Sequence, residues 1–104
     1  MKQNMGNLMK QAQKMQAEMA RVQEELKEDR VEASAGGGMI KVVMTGDMRV
    51  DRVAIDPAAV DPDDVSMLED MIAAAVNEAS RQAQDLASEK MAAVTGGMGI
   101  PGLM

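Results

Sequence analysis

Residues 31–56 read VEASAGGGMIKVVMTGDMRVDRVAID, and their apolar side chains recur with a period of two. Val31, Ala33 and Ala35 alternate with Glu32 and Ser34, then Ile40, Val42 and Met44 alternate with Lys41, Val43 and Thr45. Alternation dense in β-branched residues puts one side of each segment on a buried sheet face. The breaks are Gly36-Gly37-Gly38 and Gly46-Asp47. Glycine tolerates the positive φ of tight hairpins, and Gly46-Asp47 fits a two-residue loop with Gly first. In the third segment Met48 and Val50 share a face, but the next apolar pair is Val53 and Ile55, so the alternation slips near Asp51-Arg52. A β-bulge there restores the face. The stretch predicts three antiparallel strands.

Before it the period changes. Met5, Leu8, Ala12, Met15, Met19, Val22 and Leu26 are spaced by alternating steps of three and four. That heptad spacing keeps a narrow seam on one face of a helix. A helix from about Asn4 to Asp29 reaches roughly 39 Å at the usual rise per residue. After the strands, two Asp-Pro pairs favour extended or turn conformation, and Ser66-Met67-Leu68-Glu69 has the form of a capping box that opens a helix. Leu68, Met71, Ile72, Ala75, Ala79, Ala83, Leu86 and Ala87 then recur at helical spacing to about Val94. The expected fold is α+β in the order α-β-β-β-α, one domain over residues 1–94 with a three-stranded antiparallel sheet and two long flanking helices. The uncharged, Gly- and Pro-containing residues 95–104 are expected to form a mobile tail.

A three-stranded sheet is only about 10 Å across and strands of this length run about 17–20 Å, so neither helix can lie wholly on it. The core is also thin, because 104 residues include 13 Met and no Phe, Trp or Tyr. An overhanging seam of Leu8, Met15, Met19, Val22 and Leu26 therefore predicts core or dimer contact, and with it a homodimer.

With no His and no Cys, the usual triads, thiol nucleophiles and His-based metal sites are excluded. No enzyme, cofactor or small-molecule substrate is expected. Gly97-Met98-Gly99-Ile100-Pro101-Gly102 matches G-x-G-x-x-G, but only two residues follow it, leaving no helix to meet a pyrophosphate. Asp61, Asp63 and Asp64 lack the Gly and Glu of a calcium loop, since Ser66 and Ile72 stand at those positions. They read as acids solvating a helix start. The absence of cysteine fits a reducing compartment, and no run of about eighteen apolar residues is present to span a bilayer, so a cytoplasmic protein with no membrane partner is expected.

The net charge of -6 is unevenly distributed. Residues 1–22 carry Lys2, Lys10, Lys14 and Arg21 against Glu18 alone, whereas residues 57–104 carry eight acids against Arg81 and Lys90. A basic end on an acidic chain suits phosphate contact, although lysines on a helix are ordinarily a solvated face, and without aromatics there is no base-stacking platform, so any nucleic-acid contact is expected to be with duplex phosphates. The expected contact residues are Lys2, Lys10 and Lys14, joined by Arg81 and Lys90 if packing brings them to the same tips. Arg21 is less suited, because Glu18, Glu24 and Glu25 lie within reach of its charge. A Met-rich surface that grips a protein partner is the alternative.

The segments GNLMKQAQKMQAEM, VVMTGDMRVDRVAIDP and MLEDMIAAAVNEASRQAQDLASEKMAAVTGGM, in that order, resemble the YbaB/EbfC family of bacterial nucleoid-associated proteins. The resemblance covers nearly the whole chain. It implies an α-β-β-β-α homodimer with protruding helices in a tweezer-like arrangement, located in the nucleoid. It further implies binding of duplex DNA with limited sequence preference, a role in nucleoid organisation or gene regulation, and a link to recombination or replication proteins.

Overall fold

The computed structural model describes the backbone of residues 2–97 and the side chains of residues 5–96. Residues 98–104, the larger part of the expected tail, and the Lys2 side chain lie outside the described residues. The element order is α1 (Lys2–Glu28), β1 (Arg30–Ala35), β2 (Ile40–Thr45), β3 (Val50–Ile55), a 3₁₀ turn (Pro57–Ala59) and α2 (Val65–Gly97). The three strands form one antiparallel sheet in the order β1-β2-β3. The bulge falls where the alternation slips: Val43 pairs with Arg52 and Met44 with Val50, which leaves Asp51 without a partner across the ladder. Val50 thereby returns to the face of Val53 and Ile55.

Three local expectations change. The helix after the strands starts at Val65, and its cap is Asp64 rather than Ser66: Asp64 Oδ1 accepts from the Met67 amide at 3.3 Å and from the Ser66 hydroxyl at 3.2 Å. Asp is as good a cap as Ser, and placed here it extends the helix by a residue before Ser66. At its other end α2 continues through Gly97, past the expected limit of Val94.

The second hairpin is also not a two-residue loop. The Thr45 amide donates to Arg49 O at 2.8 Å and the Met48 amide to Thr45 O at 2.9 Å, so three residues make the connection. Met48, not glycine, takes the left-handed conformation at φ 70°. Gly46 has a different task. A Cβ on it would lie 2.8 Å from both Leu26 Cδ2 and Leu26 O, so glycine lets the end of α1 sit against the corner of the sheet.

Two clusters hold the chain together. In the first, Ala33, Ile40, Val42 and Met44 on one sheet face pack on Ala75, Ala79 and Ala83 of α2. Alanine every fourth residue makes a flat stripe along the helix, which lets helix and sheet approach closely without aromatic bulk. Ile40 and Val42 are fully buried, each contributing about 1.5–3 kcal/mol relative to exposure. The second cluster joins the helices: Val22 and Leu26 of α1 meet Val94 of α2, with Met15, Leu86, Ala87 and Met91 around them. Because Leu26 lies near the sheet and Val22 beside Val94, the helices run antiparallel and α1 continues past the described part of α2. The described chain measures 73 × 25 × 16 Å, an extended body with a projecting rod.

Candidate nucleic-acid interface

The heptad seam of α1 divides into two parts. Val22 and Leu26 are 2% and 5% exposed in the inter-helix cluster, Met15 is half-buried beside them, and Met19 is exposed at its edge. Toward the N-terminus no described residue covers the helix, and Met5 and Leu8 are 69% and 63% exposed. The final turns of α1 are thus core, and the earlier ones form a free prong.

Lys10 and Lys14 are exposed on that prong, and among the described residues neither enters a salt bridge. The next cation along the helix is already matched. Arg21 reaches Glu18 at 2.7 Å and Glu25 at 2.6 Å, and the hydrogen bond and charge of Arg21 hold the Glu18 carboxyl below its ordinary range.

Arg81 and Lys90 sit elsewhere and in different company. Arg81 is gripped by Glu78 at 2.5 Å and Asp85 at 3.0 Å, one turn away on either side of α2, and its hydrogen bond to Glu78 raises its pKa. Lys90 lies 2.6 Å from Asp29 Oδ2 and 3.6 Å from Glu25 Oε2, which clasps α2 to the end of α1. This close contact with Asp29, helped by the charge of Glu25, raises its pKa. Lys10 precedes Glu25 by fifteen residues, about 22 Å along the helix axis, so packing does not bring Lys90 to the tip of the prong.

Binding to a polyanion draws on the release of the counterions condensed on it, and a cation already neutralised by a carboxylate of its own chain displaces few of them. By that criterion the free positive charge of the described residues is confined to four side chains: Lys10, Lys14, Lys41 and Arg52. The last two were not anticipated as contact residues. Alternation alone puts each of them opposite the buried positions of its strand, and the register then sets them on one face.

A second uncovered surface lies on β3. Alpha2 covers β1 and β2, so Val50, Val53 and Ile55, on the same face as Ile40 and Val42, remain half-exposed together with Met48 at the hairpin tip. Met48 is held in a conformation that disfavours an ordinary side chain by about 1–2 kcal/mol, and it extends this apolar row. Among the described residues no group of three or more acidic side chains is arranged to hold a metal ion, and no helix is long and apolar enough to cross a membrane.

Comparison with known proteins places this arrangement. The chain is similar to a nucleoid-associated protein of Acetivibrio thermocellus, 58% identical over 101 residues that cover 96% of this chain and 89% of the relative. It is also similar to one of Moorella thermoacetica, 57% identical over 99 residues covering 95% of each. The fold matches the crystal structure of an uncharacterized Helicobacter pylori protein with a TM-score of 0.69 at 20% identity, over 82% of this chain and 86% of that one. The sequence pattern of the YbaB/EbfC DNA-binding family matches residues 1–98. Three β-strands between two overhanging helices, with this match along nearly the full length, make the chain a member of the YbaB/EbfC DNA-binding family.

Proposed function

We propose that this protein is a non-enzymatic, homodimeric component of the bacterial nucleoid that binds duplex DNA through phosphate contacts from the outer half of α1. The observation that carries this reading is the unpaired state of Lys10 and Lys14 on a helix that projects beyond the body. Lys2 extends the same basic segment in sequence. No aromatic side chain is available to stack on bases, so binding rests on charge and responds steeply to salt. Such binding suits organisation of the chromosome or regulation over many sites better than recognition of one operator.

Surface left bare supports the homodimer. The prong exposes Met5, Leu8 and Met9, and β3 exposes Met48, Val50, Val53 and Ile55. A second copy that covers either patch removes apolar area from water at about 25 cal/mol per Å². A two-fold dimer also presents the basic prong twice, doubling the phosphates engaged.

A gel-shift titration in salt tests the DNA reading. Wild type is expected to bind a mixed-sequence duplex at low salt, with affinity falling steeply as salt rises, and Lys10→Glu combined with Lys14→Glu is expected to weaken binding at least tenfold. Wild type that fails to shift the duplex at low salt, or a double variant that binds equally well, contradicts it. Light scattering is expected to return the mass of two protomers at micromolar concentration, and a monomer there contradicts the dimer. The exposed methionines of α1 favour one other reading, a module that holds a recombination, replication or chaperone protein. Recovery of one protein partner from nuclease-treated lysate, with no DNA binding by the purified protein, would support that reading instead.

A further inference from the structure

We infer that the sheet face opposite α2 is a second duplex-phosphate contact surface, with Lys41 and Arg52 as its cations. This rests on the DNA-binding reading above and adds a surface to it. The register places the two side chains together. Lys41 lies directly across from Ala54, and Val43 directly across from Arg52, so Lys41 and Arg52 are diagonal neighbours on adjacent strands. Their Cβ atoms are then within about 7 Å. Ile40, Val42 and Met44 point at α2, so Lys41, Val43 and Arg52 point the other way.

That face is open around Lys41 and Arg52 and closed at its other end, where Thr45 is buried. Helix α2 packs on the opposite side, and α1 meets the sheet at the Gly46 end of β2, where Leu26 touches the glycine. The flanking positions Ser34, Val43 and Ala54 are small, which leaves both cations standing above a low platform. Glu32, across from Val43 on β1, and Asp51, which reaches over β2 to Arg30, are acids on this face, and neither Lys41 nor Arg52 forms a salt bridge with them or with any other described residue. Arg30 and Arg49, at the margins of the sheet, are instead matched by Asp51 at 3.3 Å and Asp47 at 3.7 Å. In a chain of net charge -6, leaving these two cations unmatched on a bare surface is complementary to a phosphate backbone.

The surface also lies at a useful distance from the prong. Lys14 precedes Leu26 by twelve residues, about 18 Å of helix, and Val43 precedes Gly46 by three residues, about 10 Å of strand. Following helix and strand, the two cationic surfaces are thus at most about 30 Å apart, within the ~34 Å of one duplex turn.

The test is the slope of log affinity against log salt for a labelled mixed-sequence duplex, measured by fluorescence anisotropy. Each phosphate contact contributes about 0.9 to that slope, so Lys41→Gln with Arg52→Gln is expected to lower it by about 1.8 per protomer. Arg21→Gln with Lys27→Gln changes net charge equally but removes cations already paired with Glu18, Glu25 and Glu24, and is expected to leave the slope as in wild type. Ala54→Glu is a second probe, since it sets a carboxylate directly across from Lys41 and is expected to lower the slope by about 0.9. An unchanged slope for the Lys41 and Arg52 variant, while the Lys10 and Lys14 variant still weakens binding, overturns this inference and leaves the prong intact. Equal slope changes in the two neutralised pairs overturn it as well, because general charge then explains both. A drop in light-scattering mass for the Lys41 and Arg52 variant would assign the face to a second copy and overturn it. Wild type that does not bind the duplex removes both readings together.

Discussion

Replacing Gly46 with Ala isolates the contact that sets the prong on the body. Gly46 does not use the left-handed region, which among the described glycines is occupied by Gly36, Gly37 and Gly38. On backbone grounds, then, Gly46→Ala should stabilise by about 0.4–1 kcal/mol through reduced freedom of the unfolded chain. The packing works against that. The new Cβ would lie 2.8 Å from Leu26 Cδ2, 2.8 Å from Leu26 O and 3.1 Å from Leu26 Cα. The Leu26 side chain can turn away, but its backbone is held by the burial of Val22 and Leu26 against Val94 and by the Gly46 amide, which donates to Asp29 O at 3.1 Å. Overpacking against backbone costs about 1–3 kcal/mol, so the clash prevails and the net loss is about 1–2 kcal/mol. At this size that lowers the melting temperature by about 5–10 °C. Far-UV circular dichroism is the suitable probe because the chain has no aromatic chromophore, and protomer concentration is held constant to remove the effect of assembly. A melting temperature equal to or above wild type would mean that α1 does not rest on this corner.

Three further outcomes are expected. Asp64→Ala should destabilise by about 1 kcal/mol in urea titration, while Ser66→Ala should change stability by less than about 0.5 kcal/mol; the reverse order would make Ser66 the cap. Met48→Gly removes left-handed strain of about 1–2 kcal/mol against an entropy loss of about 0.5–1 kcal/mol, so it should raise stability by about 0.5–1 kcal/mol, and a lower urea midpoint would count against the strain. The clasp of Lys90 should give way on the alkaline side: with its pKa raised above the ordinary 10.5, its contribution is full below that value and is lost as pH rises through the higher folded value. Lys90→Met should remove this alkaline component, and melting curves of wild type and variant that fall in parallel between pH 9 and 12 would contradict it.

Much of this architecture is legible in local pattern. A period near 3.5 before residue 30, a period of two from 31 to 55 and a helical period after 65 define the elements, and the slip at Asp51 marks the bulge. These are consequences of backbone geometry within a few residues. The pairing of Arg81 with Glu78 and Asp85 was equally local, visible as spacings of three and four, and it bears on the expectation that Arg81 is available to DNA. The basic N-terminal segment and the absence of stacking residues were likewise plain from composition.

Other features depend on where distant segments meet. Lys90 looks free until packing carries it to Asp29, sixty-one residues earlier in the chain. Gly46 reads as a turn glycine until Leu26 arrives beside it. The heptad seam is uniform along the sequence, yet among the described residues its buried part is the end near Val22 and Leu26, where α2 packs against it. Periodicity determines which side of an element is apolar. What covers that side, and which charges remain unmatched, is decided by through-space contacts whose partners are dozens of residues apart.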